Sequence, residues 1–127
     1  MSGDKWLKCF NDKFEEFVKE LIELYPDDKD FKILKNSFNL LKMADFRKPF
    51  SLFIVYSVDY ESYVMNKDET FFLNHDYDEI KQGDSNFTDT LMMKLKGYWK
   101  TLTEENKEII WKYLTLFFSL KTKINTI

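Results

Sequence analysis

The 127 residues carry 22 Asp and Glu against 19 Lys and Arg, a formal charge of -3, and that even balance excludes the broadly basic surface general nucleic-acid binding requires. Three Gly and two Pro leave little punctuation for a many-stranded fold, while 18% aromatic residues, 13 of them Phe, point to a bulky core. The length fits a single domain, residues 1–127, and the lone cysteine, Cys9, excludes an intramolecular disulfide or a Cys-rich zinc site.

The first helix is predicted over Lys5 to Tyr25 with Asp4 as its cap. Leu7, Phe10, Phe14, Phe17, Leu21 and Leu24 alternate at spacings of three and four, which builds one apolar seam. Trp6, Val18 and Ile22 flank the seam. The other face carries Lys8, Asp12, Lys13, Glu15, Glu16, Lys19, Glu20 and Glu23 and reads as solvated, with Glu15 and Lys19 a favourable pair and Glu16 and Glu20 an unfavourable one. Cys9 lies beside the seam and reads as a small filler at the core edge rather than a reactive thiol. Charges recur throughout the first residues, so no secretory leader is expected and the compartment is expected to be reducing.

Pro26 ends that helix, because it restricts Tyr25 and removes a backbone donor. Asp27 or Asp28 can cap a second helix from Lys29 to Met43, with Phe31, Leu34, Phe38 and Leu41 in one stripe and Ile33, Leu40 and Met43 beside it. The short connection makes the first two helices an antiparallel pair.

Pro49 suits the first turn of a third element, from Phe50 to Asn66. Its β-branched and aromatic residues suit a strand, but its length without a turn signal and the stripe Phe53, Tyr56, Tyr60 and Tyr63 suit a helix better. Apolar nearly all round as far as Val58, it is the expected central helix. It falls well short of the roughly 20 apolar residues of a membrane span. No membrane partner is expected.

Residues 67–87 form the long connection, where Asp68 can cap a short turn holding Phe71, Phe72 and Leu73. A fourth helix follows from Thr88 or Asp89 to Trp99. The last begins after Thr103, whose hydroxyl can cap it with Glu104 and Glu105 in the first turn, and places Ile110, Tyr113, Phe117, Leu120 and Ile124 on one stripe. Together these segments predict an all-α fold: a compact bundle of about five helices with an aromatic-rich central helix.

Chemistry has few places to reside. His75, Asp76, Asp78 and Glu79 form the one dense polar cluster, and carboxylate oxygens with an imidazole are metal-ligand types. However, there is no EF-hand pattern and no second His for a common zinc set, so an acidic solvated loop is the better reading and no cofactor is expected. No Gly-rich phosphate loop and no nucleophile elbow occurs, so no catalytic residue is assigned. Lys94, Lys96 and Lys100, interleaved with Tyr98 and Trp99, can be read as a phosphate- and base-contacting stretch or as core aromatics with solubilising lysines. The acidic net charge favours the second. Tyr56, Tyr60 and Tyr63, with Tyr98 and Trp99, are the interaction candidates, since such aromatics are enriched at interfaces.

The order of segments 10–31 (FNDKFEEFVKELIELYPDDKDF), 67–80 (KDETFFLNHDYDEI) and 95–117 (LKGYWKTLTEENKEIIWKYLTLF) resembles that of small uncharacterised α-helical proteins encoded by nucleocytoplasmic large DNA viruses. The resemblance is sharpest over Phe71–Tyr77 and Trp99–Trp111. It implies a viral protein of the host cytoplasm or the virion and brings no catalytic residues with it. The expected function is a non-enzymatic structural or protein-interaction module, with a protein partner or self-association through a helix face or the acidic loop. The alternative is a metal-dependent or nucleic-acid-binding accessory protein using the loop around His75.

Overall fold

Local signals in the sequence place most helix ends in the computed structural model, which describes residues 2–74 and 87–125. The helices are α1 (Ser2–Leu24), α2 (Lys29–Ala44), α3 (Lys48–Ser57), α4 (Glu61–Met65), α5 (Thr70–Asn74), α6 (Phe87–Tyr98) and α7 (Glu104–Asn125), with 3-10 turns at Val58–Tyr60 and Trp99–Thr101. The described residues contain no strand, so the fold is all-α, built on five helices of ten or more residues.

The caps follow the chemistry of short polar side chains. Asp28 Oδ1 accepts the Asp30 N–H at 2.9 Å, Asp68 Oδ1 accepts the Thr70 N–H at 3.1 Å, and Thr103 Oγ1 accepts the Asn106 N–H at 3.1 Å. Asp4 is an exception. The helix begins before it, so Asp4 sits in the first turn, where its charge suits the macrodipole, and faces Arg47 at 3.8 Å. Pro49 falls in the first turn of α3, where its missing N–H has no partner to lose.

The third segment departs from the continuous helix its stripe suggests. At Ser57, with φ -103° and ψ 0°, the chain tightens into the 3-10 turn before resuming as α4. That change of winding turns Val64 fully inward and leads the chain to α7. It also means the segment is not the central helix: Phe50 and Phe53 reach the core, but Val55 and Val58 are 64% and 60% exposed. The aromatic-rich central place belongs to α1, which packs against α7, α2 and α3.

Phe10, Phe14 and Phe17 of α1 are sealed from solvent and meet Phe117 of α7 with ring centroids 5.3, 5.6 and 6.0 Å apart. Phe14 also stacks on Phe38 of α2 at 4.4 Å. These are the separations at which ring quadrupoles add to simple area burial. At the other end, Trp99 stacks on Phe72 at 4.2 Å and meets Trp111 edge-on at 5.1 Å. Aromatic rings thus make up much of the core, and the α1 seam read from spacing is buried from Phe10 to Leu21, whereas Leu24 at its end is 39% exposed because the helix stops there beside a surface groove.

Candidate functional site

Where helices approach one another, the polar side chains have largely turned to each other. Asp28 is the clearest case, with a side chain only 9% exposed. Besides capping α2, its Oδ2 accepts from Lys94 Nζ at 2.9 Å and from the Tyr98 hydroxyl at 2.5 Å, while Lys94 also reaches Asp30 at 2.7 Å. Tyr98 lies flat on Tyr25 with centroids 3.8 Å apart. Burial alone would raise the Asp28 pKa; the bonds from Tyr98 and Lys94 outweigh it and hold the carboxyl below its ordinary range. The same bond raises the Tyr98 pKa. Both Asp28 oxygens are committed within the chain, and the cluster is a clamp joining α2 to α6.

A second clamp centres on Glu69. It accepts from Trp99 Nε1 at 2.8 Å and from Lys107 Nζ at 3.2 Å, and these bonds, that from Trp99 foremost, lower its pKa. Trp99 itself is 0% exposed, which removes it from the interaction candidates. Its indole fills the core and spends its one donor on Glu69. Lys96 is 6% exposed, with its ammonium 3.9 Å from the Phe71 ring centroid. With Lys94 paired and Lys96 buried, Lys100 is the exposed lysine of the three, so residues 94–100 form no row of cations for phosphates.

The tyrosine candidates divide. Tyr60 is half-buried, and its hydroxyl donates to Asp89 at 2.7 Å across to α6. Tyr98 is taken up by Asp28 and Tyr25. Tyr56 and Tyr63 are exposed, Tyr63 leaning on Phe71. Further large apolar side chains are exposed on the same stretch of chain: Ile33, Leu40 and Met43 on α2, and Val55, Val58 and Met65 from α3 to α4. Among the described residues, eight of the ten exposed large hydrophobic side chains lie between residues 33 and 65. On α2 the signal was present as a second stripe, since Ile33, Ser37, Leu40 and Ala44 also recur at four and three.

The remaining two, Leu24 and Ile109, line a groove between α1 and α7. Its larger part encloses about 590 Å³ and runs past Lys13, Lys112 and Ser119. Its smaller part, about 270 Å³, reaches Leu24 and Asn106, and both parts share Glu20 and Ile109. The Tyr113 hydroxyl donates to Glu16 at 2.7 Å and to Glu20 at 3.2 Å, so the two like charges on α1 share one donor. Burial and these carboxylates push the Tyr113 pKa well up, while its bond is the main cause that lowers the pKa of Glu16. Glu15, expected to pair with Lys19, instead accepts a short bond from Lys42 of α2.

Cys9 is a half-buried free thiol packed at the core edge. His75, Asp76, Asp78 and Glu79 lie outside the described residues; within them, no group of three His, Cys, Asp or Glu is placed to hold a metal ion. No described helix is long and apolar enough to cross a membrane. Compared with protein-family models, curated proteins and solved structures, the chain has no significant match.

Proposed function

We propose that the chain is a non-enzymatic structural or protein-interaction module that works through the outward face of α2, α3 and α4. The concentration of exposed apolar side chains there carries the reading, because scattered apolar residues are ordinary on a protein surface whereas a concentration of them marks contact with another macromolecule. Tyr56 and Tyr63 add amphipathic rings of the kind that anchor such contacts. The internal commitment of Asp28, Glu69, Lys94 and Lys96 supports it from the other side, since those groups act as clamps. A viral setting, in the host cytoplasm or the virion, belongs to the same proposal and is supported by the resemblance of the three sequence segments.

Affinity purification of the full chain beside a Val55→Asp/Val58→Asp variant tests the reading. Both positions are exposed, so the melting curve is expected to be unchanged while the co-purifying chains are lost. Recovery of the same chains with both proteins would overturn the assignment of this face.

A further inference from the structure

Two of the apolar surfaces, one on α2 and one between α1 and α7, are opposite in shape and in charge. One is the outer stripe of α2, where Ile33, Leu40 and Met43 are 59%, 69% and 80% exposed. That helix carries four lysines against one aspartate, and Lys29 and Lys32 are exposed beside the stripe without an ion pair among the described residues. The other is recessed. It is the groove between α1 and α7, floored by Leu24, Ile109 and Leu116 and rimmed on α1 by Glu16, Glu20 and Glu23, with Lys13 and Lys112 at its far end.

The two match in length. Ile33 to Met43 spans about 15 Å of helix, and Lys13 to Leu24, the length of the groove along α1, about 16 Å. A helix laid into a furrow between two others, its apolar stripe down and its basic edge against the acidic rim, is a recurrent mode of recognition. We infer that the occupant of the α1–α7 groove is α2 of a second copy of this chain. This rests on the proposed function in so far as the α2 stripe belongs to the proposed contact face, and it adds both the partner and the receiving site. Because the contact joins two different surfaces it is heterologous, so every assembly keeps a free stripe at one end and a free groove at the other, and the chain assembles head to tail.

Sedimentation equilibrium of the full chain over a concentration series tests this. The mass is expected to rise beyond that of one chain and to keep rising with concentration, less so as salt screens the lysine–glutamate contacts. Leu40→Glu/Met43→Glu is expected to weaken association roughly thirtyfold or more, as loss of central contacts does, and Glu20→Lys/Glu23→Lys is expected to weaken it as well. Ile109→Asn provides a second groove variant should the first alter folding, which melting curves report. Mixing a stripe variant with a groove variant leaves one intact stripe and one intact groove, and a dimer that grows no further is expected. A chain that stays monomeric at every concentration, a stripe variant that associates like the wild type, or a mixture that forms no dimer would each overturn the inference. A monomer leaves the Val55→Asp/Val58→Asp comparison to judge the broader reading on its own.

Discussion

Lys67 occupies a backbone position that suits it poorly. Its φ of 50° places it in the left-handed region just past α4, where its N–H bonds Val64 O at 3.0 Å and the Asp68 N–H bonds Tyr63 O at 2.8 Å, the paired bonds of a Schellman ending. Glycine meets that conformation without a Cβ clash, so Lys67→Gly is expected to raise unfolding free energy by about 1 kcal/mol in urea titrations. The exposed contact to Glu108 at 3.6 Å that it sacrifices is worth little. At Asp28 the expectation is the reverse. Asp28→Ala removes the α2 cap and two charge-assisted bonds and is expected to cost about 2 kcal/mol, whereas Asp28→Asn keeps the cap and is expected to cost about half as much. Asp28, Glu16 and Glu69 are all held below their ordinary values of 3.8 and 4.5, so the stability they add is complete above those values and disappears as pH falls through the lowered ones. Unfolding free energy is therefore expected to hold level near neutrality and decline once pH drops below 4.5, with a shallower decline in Asp28→Asn. The caps at Asp28, Asp68 and Thr103 were legible in the sequence because a cap acts over two or three residues. The partners of Asp28 in α6 and of Tyr113 in α1 were not, since 66 to 97 residues separate them.

At the scale of elements, periodicity found the helices and misjudged what one of them faces. Five long helices follow their apolar spacing closely, and α1 buries the seam that Phe10, Phe14 and Phe17 define. The segment after Pro49 reads as the most buried helix because it is the most apolar, yet a helix apolar all round is silent about which side meets the core. There the 3-10 turn at Val58–Tyr60 decides, by rotating Val64 inward and leaving Val58 out. On α2, two apolar stripes competed, and the phenylalanines won the core because they remove more surface from water than Ile33 or Leu40 would. The difference is measurable. Phe14→Ala, which empties a fully buried site stacked on Phe38, is expected to cost about 3–5 kcal/mol in chemical denaturation. Leu40→Glu on the outer stripe is expected to shift stability by no more than about 0.5 kcal/mol in dilute solution.

Across the whole molecule the most extensive helix pairing joins α1 to α7, the two elements farthest apart along the described chain. Phe10, Phe14 and Phe17 all meet Phe117, and the indole ring of Trp111 closes over Trp99 and Phe72. A fragment ending at Thr103 keeps α1 to α6 but lacks that cover. It is expected to retain helical far-ultraviolet dichroism, lose near-ultraviolet signal and bind the dye ANS, as states with helices but loosened packing do. Bundles of sequence-local contacts fold fastest, and this long-range closure is expected to place the chain below them in rate.

During translation the same pairing imposes a wait. The phenylalanine stripe of α1 leaves the ribosome early, while its principal cover, α7, is the last of the described helices to be made. Until then α2 and α3 shield part of the ridge, through Phe38, Phe50 and Phe53, while the side that meets Phe117 waits uncovered, the kind of transient apolar exposure that favours aggregation during synthesis.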